Sequence, residues 1–513
     1  MGIMTAIKNE AANTNLVETE NGALGFANHK SDIVDFFYKV STMRTWTKDA
    51  KRIAFRKCLA EDRDLALRML FFIRDVRGGM GERQLFRDVF SDMDQSVIDA
   101  TLALVPEYGR WDDLLDLISQ PETKDETAKK IYKLVFDTLQ SDVANMNAGK
   151  PCTLLAKWLP SVRNVSKDKI KLSKKLIRAF EWNEKKYRKT LSALRAYLKV
   201  VERDMTANEW GKIDFGAVPS KAAKNYREAF SRHDAERYGE YLEGLKAGVE
   251  KVNAKTLYPY EIVCSYRYSS HVEDTLLESQ WKALPLPKSG ILGNAIVVRD
   301  GSGSMRSAVT GSAGRACALD VATALAILMS ENLKGEFKDR FITFSSRPKF
   351  VDLGGCKNLH DKLQVAYNEA ECSNTDIEKT MDLILAVALK NKIPQEEIPA
   401  VVIVSDMEFD QARGQYSWMS LRDSNLDSEE TLFAKINKKW HDAGYELPKM
   451  VFWNVASRTG AVPMQENKNG LLLVSGFSQS IMDMLSEGGD MIDIIRKKLM
   501  TPRYDAVAKA IAG

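Results

Sequence analysis

Two patterns of apolar and polar residues divide the chain. From about residue 31 to 280, apolar residues recur three or four positions apart, as in IVDFFYKV (33–40) and DLALRMLFFIRDV (64–76). This spacing places apolar side chains on one face of a helix. Glycine and proline interrupt the pattern often, for example in RGGMGER (77–83). We therefore predict short amphipathic helices that stack as repeats, because none of them can bury its apolar face alone.

After residue 284 the pattern changes to short β-branched runs that alternate with helical ones. Strands buried on both faces by crossover helices have this pattern, so the second half is predicted to be a doubly wound, Rossmann-like α/β domain with a mostly parallel sheet. The predicted domains are a flexible segment 1–30, a helical domain 31–284 and an α/β domain 285–513. The predicted strands lie at 291–298, 339–344, 398–405, 449–455 and 470–476, and the helices among them at 313–332, 375–391, 428–444 and 480–488.

Composition fits a globular protein and restricts its chemistry. The 513 residues are 44% hydrophobic and carry a net charge of +4, so two or more domains with ample cores are expected. Six cysteines without a Cys-x-x-Cys pair argue against a zinc site and a disulfide framework. No stretch has the length and hydrophobicity of a signal peptide or a membrane span. We expect a cytoplasmic protein without a membrane partner.

The stretch AIVVRDGSGSM (295–305) carries candidate chemistry. Asp300 stands at the end of a predicted strand, where α/β sheets bind ligands. Ser302 and Ser304 follow at every second residue, separated by glycines that let the backbone curl so that the oxygens converge. Asp406 directly follows the predicted strand 398–405, and Thr375 stands where the predicted helix 375–391 begins.

These five residues offer carboxylate and hydroxyl oxygens at one predicted sheet edge. Such a donor set, without imidazole or thiolate, suits Mg²⁺, or another hard cation such as Mn²⁺ or Ca²⁺. A phosphate-binding loop is disfavoured because the segment lacks its lysine, and a nucleophilic serine because Gly-x-Ser-x-Gly is not formed. A simple turn remains the alternative. Glu408 and Asp410 follow Asp406 and are expected to be solvated rather than to modulate the site.

Three separate motifs, DGSGSM, SNTDIEK and IVSDMEFD, resemble the metal-ion-dependent adhesion site of von Willebrand factor A domains. The five matching positions are Asp300, Ser302, Ser304, Thr375 and Asp406. The resemblance implies that these residues bind Mg²⁺ and that the ion accepts an acidic group from a partner. An under-coordinated hard cation gains most from such an oxygen.

Six further stretches are FFIRDVRGGMGERQLFR (71–87), VPEYGRWDDLL (105–115), LLAKWLPS (154–161), YRKTLSALRAYLKVVE (187–202), NAKTLYPYEIV (253–263) and LLVSGFS (472–478). On these stretches, nearly the whole chain resembles a TROVE-related family catalogued as a domain of unknown function. The combination of a helical half with a von Willebrand A domain also resembles the TROVE proteins, the family of the Ro autoantigen. The resemblance implies a ring of HEAT-like repeats closed by a von Willebrand A domain, which binds small noncoding RNA on a basic surface.

A basic segment supports RNA binding independently. Between Lys157 and Arg203, fifteen basic residues against four acidic ones give a net charge of +11 in 47 residues. This concentration is typical of a phosphate-binding surface. We expect Trp158 and Trp182 to be core residues more often than base-stacking ones. The histidine-rich pattern that the Ro family shows in the corresponding segment is absent here, where Tyr187 and Arg188 stand instead. The predicted phosphate contacts are Lys185, Lys186, Arg188, Lys189 and Arg195.

Two functions remain open from the sequence. The first is a non-enzymatic scaffold that holds small structured RNA and recruits a protein partner through a bound cation. The alternative is a metal-dependent protein adhesion or assembly module without RNA. Metal-dependent phosphoryl transfer is disfavoured because one ion among hydroxyls lacks paired metals and a positioned base. The segment RDVRGGMGER (74–83) is expected to be a helix corner in which Asp75 and Glu82 pair with its arginines.

Overall fold

The structure is a computed structural model that describes residues 15–121, 123–163, 166–269, 272–286, 294–309, 316–344, 348–369, 376–410, 432–464, 471–486 and 489–512. Its helices are α1 (Asp32–Tyr38), α2 (Lys48–Glu61), α3 (Arg63–Arg74), α4 (Arg83–Phe90), α5 (Gln95–Thr101), α6 (Val105–Tyr108), α7 (Trp111–Leu117), α8 (Asp125–Asn147), α9 (Leu155–Trp158), α10 (Lys167–Ala179), α11 (Glu184–Tyr197), α12 (Val201–Thr206), α13 (Ser220–His233), α14 (Ala235–Lys246), α15 (Pro259–Ser269), α16 (Thr275–Lys282), α17 (Ala318–Asn332), α18 (Leu359–Asn368), α19 (Ile377–Asn391), α20 (Leu432–Asp442), α21 (Met491–Leu499) and α22 (Pro502–Ala512).

The strands form a hairpin near the N-terminus and one larger sheet. The sheet has the order β5-β4-β3-β6-β7-β8, in which β4 and β5 pair antiparallel and the other pairs are parallel. The mostly parallel sheet predicted from the sequence is thus confirmed. The strands are β1 (Leu16–Glu18), β2 (Leu24–Phe26), β3 (Ala295–Asp300), β4 (Arg340–Phe344), β5 (Lys349–Asp352), β6 (Ala400–Ser405), β7 (Met450–Asn454) and β8 (Leu472–Ser475).

The burial of each strand explains whether it could be predicted from the sequence. Every residue of β3, β7 and β8 is buried, and each strand begins with three or four consecutive apolar residues before its polar carboxyl end. Strand β5 buries Val351 alone among its four residues and was not predicted. It is an edge strand that folds back on β4, and its polar composition gives no strand signal.

Backbone contacts divide the chain into two compact units, Met1–Ala66 with Leu257–Leu499, and Leu67–Thr256 with Met500–Gly513. This division differs from the predicted consecutive domains. Residues 1–66 are grouped with the sheet, although most of them were assigned to the helical domain, and residues 500–513 are grouped with the helical unit. None of the helices in the described ranges is long and apolar enough to cross a bilayer.

The first unit contains the sheet and an N-terminal segment that covers part of it. Helix α1 buries Ile33 and Phe37 completely, and Asn454 Nδ2 at the end of β7 donates to its Tyr38 carbonyl at 3.2 Å. The β1–β2 hairpin is bonded to the same unit, since the Phe26 backbone N donates to the Val462 carbonyl at 2.9 Å. Residues 15–30, predicted to be flexible, therefore form part of this unit, and residues 1–14 lie outside the described part.

The second unit is helical, as predicted, and includes the C-terminal helix α22. Asp75 is fully buried and binds the Arg503 guanidinium, with Nη2 to Oδ1 at 2.7 Å, and the Tyr504 hydroxyl at 2.9 Å. The predicted pairing of Asp75 with arginines of its own corner is wrong in this respect. A side chain at Gly79 would place its Cβ 1.9 Å from the Phe72 carbonyl oxygen, which explains the glycine at this corner.

Candidate metal centre and nucleic-acid interface

The loop after β3 brings one carboxylate and two hydroxyls together. Asp300 ends the strand with no exposed surface, and its Oδ1 accepts a hydrogen bond from the Ser302 backbone N at 2.9 Å. A 3₁₀ turn from Gly303 to Arg306 then folds Ser304 back, so that its Oγ lies 3.0 Å from Ser302 Oγ. The oxygens converge as the alternating glycines and serines predict.

Asp406 reaches the same place from the neighbouring strand β6. Strands β3 and β6 pair in parallel, so their carboxyl ends lie side by side. Ser405 at the end of β6 donates its hydroxyl to Asp300 Oδ2 at 2.5 Å, and the Ser304 hydroxyl is bonded to Asp406. Four of the five predicted ligands therefore meet at one edge of the sheet. Thr375 lies outside the described residues.

The two carboxylates share a buried environment. Burial raises the pKa of Asp300 above its ordinary value, and hydrogen bonds from Ser405 and Ser302 oppose this shift. Burial, and then the charge of Asp300, raises the pKa of Asp406 to about 7. Two carboxylates in a low-dielectric site repel each other unless a cation compensates them.

The donors fit a hard cation better than a soft one. Within the described ranges, no three His, Cys, Asp or Glu side chains form a metal-binding group, so a cation here would depend on the serine hydroxyls as well as the carboxylates. Oxygen donors of this kind suit Mg²⁺ or Ca²⁺ rather than Zn²⁺.

Glu408 is not the solvated acid that the sequence led us to expect. It has no exposed surface, and its carboxylate accepts hydrogen bonds from the backbone N of Glu20 at 2.9 Å, of Arg458 at 2.7 Å and of Thr459 at 3.0 Å. The hydroxyls of Ser457 and Thr459 donate to it as well. Glu408 thus joins two loops at the rim of the site, and its oxygens are already used.

Arg458 was missed by sequence reasoning. Its Nη2 lies 3.6 Å from Asp406 Oδ2 and 2.7 Å from Glu20 Oε2. No local pattern marks an arginine that meets two acids so distant in sequence, and its position depends on the contacts of Glu408.

The predicted phosphate contacts lie in the second unit, on α11. Lys185, Lys186, Arg188 and Lys189 are exposed. Arg188 is paired loosely with Glu184 at 3.7 Å, a surface contact that contributes little to stability. These four side chains are therefore accessible to a ligand.

Arg195 differs from the other four. It donates from Nε to the Ala156 carbonyl at 2.8 Å, from Nη2 to the Leu159 carbonyl at 2.6 Å and from Nη1 to Ser161 Oγ at 3.0 Å. Burial lowers its pKa. These bonds hold the loop after α9 against α11, so Arg195 has a structural role whether or not it also meets phosphate.

A cleft of about 1560 Å³ opens beside this loop in the second unit. It is larger than the roughly 300–1,000 Å³ of pockets for small ligands. Trp158 lines it with the Arg110 guanidinium 5.2 Å from its ring centroid, whereas Trp182 packs with Phe136 and Phe180. The basic residues of its wall are Arg83, Arg87, Lys157, Arg163, Lys169, Lys171, Lys175, Arg188, Arg195 and Arg203, and the acidic ones are Asp112, Asp116, Asp168 and Glu202.

Ion pairs within the protein use part of this charge. Arg87 contacts Asp112, Asp113 and Asp116, all within 3.2 Å. In contrast, Arg163, Lys169 and Lys175 are exposed and make no ion pair among the described residues. The sequence included these three in the basic segment but did not single them out.

Comparisons with known proteins match two separate stretches of the chain. Residues 294–506 match a family described as Domain of unknown function (DUF7788), and residues 174–287 match Domain of unknown function (DUF2828). An uncharacterized protein of Acanthamoeba polyphaga mimivirus, L728, is 30% identical over 508 residues, an alignment that covers 91% of this chain and 84% of the viral protein. The chain belongs to the family of L728. The predicted membership in a family of unknown function is thus confirmed, whereas the likeness to Ro proteins stays a prediction.

Proposed function

We propose that this member of the L728 family is a non-enzymatic RNA-binding scaffold with a divalent-cation site for an acidic protein partner. The basic cleft of the second unit carries the RNA part of this proposal. Its wall has ten basic and four acidic residues, and its volume suits a segment of a polymer rather than a small molecule. Lysines and arginines on such a surface contact phosphates and position the strand without specifying its sequence.

The charge distribution favours RNA over an acidic protein as the ligand of the cleft. Arg163, Lys169 and Lys175 are exposed and line the cleft, and so does Arg188 of α11. An RNA backbone carries a negative charge at every phosphate and can contact all of these residues. An acidic peptide would need an acidic side chain at the right position for each of them. The resemblance to TROVE proteins supports the same ligand class, small noncoding RNA.

The cation part rests on the first unit. Asp300, Ser302, Ser304 and Asp406 would hold Mg²⁺, with Thr375 as a fifth predicted ligand. The cation would bind an oxygen of an acidic partner and leave the protein ligands in place. The resemblance to the metal-ion-dependent adhesion site supports this role, and the buried pair of carboxylates gives it a physical reason.

The test compares two charge reversals of equal size in the second unit. Arg163→Glu, Lys169→Glu and Lys175→Glu together are expected to weaken binding of a structured RNA at least tenfold. They should also flatten the slope of log affinity against log salt by about 2, since each phosphate contact on a single strand contributes ~0.7. The control combines Lys129→Glu, Lys251→Glu and Lys255→Glu, three exposed lysines outside the cleft.

Equal losses in both variants would show that net charge alone attracts RNA, and wild-type binding by the cleft variant would overturn the RNA proposal. The alternative adhesion module without RNA makes a different prediction, because purified wild-type protein would then carry no nucleic acid. The ratio of absorbance at 260 and 280 nm distinguishes the two functions.

A further inference from the structure

One guanidinium nitrogen stands between the candidate cation site and an acid of the N-terminal hairpin. Nη2 of Arg458 lies 2.7 Å from Glu20 Oε2 and 3.6 Å from Asp406 Oδ2. Arg458 is 34% exposed and Glu20 46% exposed, whereas Asp406 is almost completely buried. The guanidinium therefore links a buried carboxylate of the site to a carboxylate at the surface.

The hairpin is held in this place by bonds that leave the Glu20 side chain available. Thr19 donates its hydroxyl to the Phe409 carbonyl at 2.6 Å, and Asn21 Nδ2 donates to the Glu408 carbonyl at 2.6 Å. Between them, the backbone N of Glu20 donates to the Glu408 carboxylate at 2.9 Å. The anchoring atoms of Glu20 are thus in its backbone, and its carboxylate points to Arg458.

The same carboxylate of Glu408 also fixes Arg458. It accepts a hydrogen bond from the Arg458 backbone N at 2.7 Å, so the hairpin and the arginine loop share one buried anchor. This arrangement keeps Glu20 and Arg458 beside Asp406 independently of the contact between their side chains. An exposed salt bridge alone would contribute too little to do so.

We propose that Glu20 is an internal acidic ligand of the cation site and that Arg458 binds the Glu20 carboxylate while no cation is bound. The inference rests on the proposed cation site at Asp300 and Asp406. A divalent cation beside Asp406 repels the Arg458 guanidinium, and it attracts the nearby carboxylate of Glu20. An external acidic partner must then displace Glu20, so the hairpin regulates access to the ion.

This role predicts opposite effects for the two members of the pair. Glu20→Gln removes an acid that favours the cation and is expected to weaken Mn²⁺ binding about tenfold, the lower end of losses for groups that support metal ligands. Arg458→Gln removes a competing positive charge and is expected to strengthen it severalfold. Both substitutions preserve the backbone bonds to Glu408.

The measurement uses full-length protein, with Mn²⁺ titrated and the free ion followed by electron paramagnetic resonance. Water-proton relaxation then reports the number of water molecules on bound Mn²⁺, which should be higher by one in Glu20→Gln than in wild type. Glu18→Gln is the matched control, because Glu18 is an exposed acid on the same hairpin. It should leave both the affinity and the water number unchanged.

The outcomes separate this inference from the proposal beneath it. If wild-type protein binds no Mn²⁺, the cation site itself is wrong. If wild type binds Mn²⁺ and Asp300→Asn does not, but Glu20→Gln behaves like Glu18→Gln, only the internal ligand is wrong. Equal weakening by Glu20→Gln and Glu18→Gln would indicate a general loss of negative charge and would also overturn it.

Discussion

Asp406 in the first unit and Lys175 in the second both belong to candidate binding sites, but their surroundings differ. Asp406 is 1% exposed, is influenced by the charge of Asp300, accepts a hydrogen bond from the Ser304 hydroxyl and lies 3.6 Å from the Arg458 guanidinium. Lys175 is exposed on the wall of a wide cleft that nine other basic side chains line. Buried charges interact strongly because the local dielectric is low, whereas water and salt screen exposed ones.

The difference teaches how function is distributed in each unit. In the buried site a few residues each have a large effect, and their exact pairing decides what the site can bind. In the cleft each basic side chain contributes a small part of the RNA-binding free energy, and neighbouring basic side chains can substitute for one another. Single substitutions should therefore be decisive in the first unit and modest in the second.

The largest effect is expected at Asp300. Asp300→Asn keeps one oxygen that can accept the bond from the Ser302 backbone N, and its amide nitrogen can donate to the Ser405 hydroxyl oxygen. Because the substitution removes the charge, Mg²⁺ affinity should fall by more than about 100-fold. Wild-type protein at a Mg²⁺ concentration of 100 times its Kd should gain about 2.7 kcal/mol of stability, and the variant at the same concentration less than about 0.4 kcal/mol. Calorimetric titration and thermal unfolding with and without Mg²⁺ measure both quantities. The control Asp442→Asn changes an exposed acid of the same unit; unchanged Mg²⁺ binding by Asp300→Asn would refute the site.

A smaller effect, on local stability, is expected at Glu408. Glu408→Gln turns one carboxylate oxygen into a donor that faces other donors, at a cost of about 3 kcal/mol. The hairpin and the loop of Arg458 should then open more often, which raises amide hydrogen exchange there about 100-fold. Exchange followed by mass spectrometry over residues 15–30 and 455–462 tests this. Glu446→Gln, at an exposed acid, should change nothing, and equal exchange in the two variants would contradict the anchoring role.

The smallest effect is expected at Arg195. This residue belongs to the second unit, but its guanidinium is held by several hydrogen bonds, as the residues of the buried cation site are. Arg195→Gln should loosen the loop at 156–161 by about 2 kcal/mol, because hydrogen bonds from its guanidinium to two carbonyls and a hydroxyl are lost. If its role is structural, the salt dependence of RNA binding stays unchanged. Lys175→Gln should instead lower the slope by ~0.7 without loosening the loop. A lower slope in Arg195→Gln would return Arg195 to the phosphate contacts predicted from the sequence.

Much of the first unit could be predicted from local signals. Strand β3 ends in Asp300, and Asp406 directly follows β6, so buried apolar runs followed by acids placed both residues at the sheet edge. Glu408 could not be placed in this way, because an acid in a loop gives the same signal whether it is solvated or bound by five donors. Its donors come from segments 15–30 and 455–462, which are far from it in sequence.

The sequence by itself determined the helical first half, the buried strands of the mostly parallel sheet, the oxygen donors at its edge and the basic segment, but not β5 or the β1–β2 hairpin. Each of these depends on the spacing or concentration of residues within a short stretch, which periodicity and composition record. Tertiary structure decided the partners: Arg458 beside Asp406, Glu20 beside Arg458, Arg195 among carbonyls, and Arg503 on Asp75. Such pairings follow from which surfaces pack when the chain folds, and a charged side chain carries no mark of the distant residue that will neutralise it.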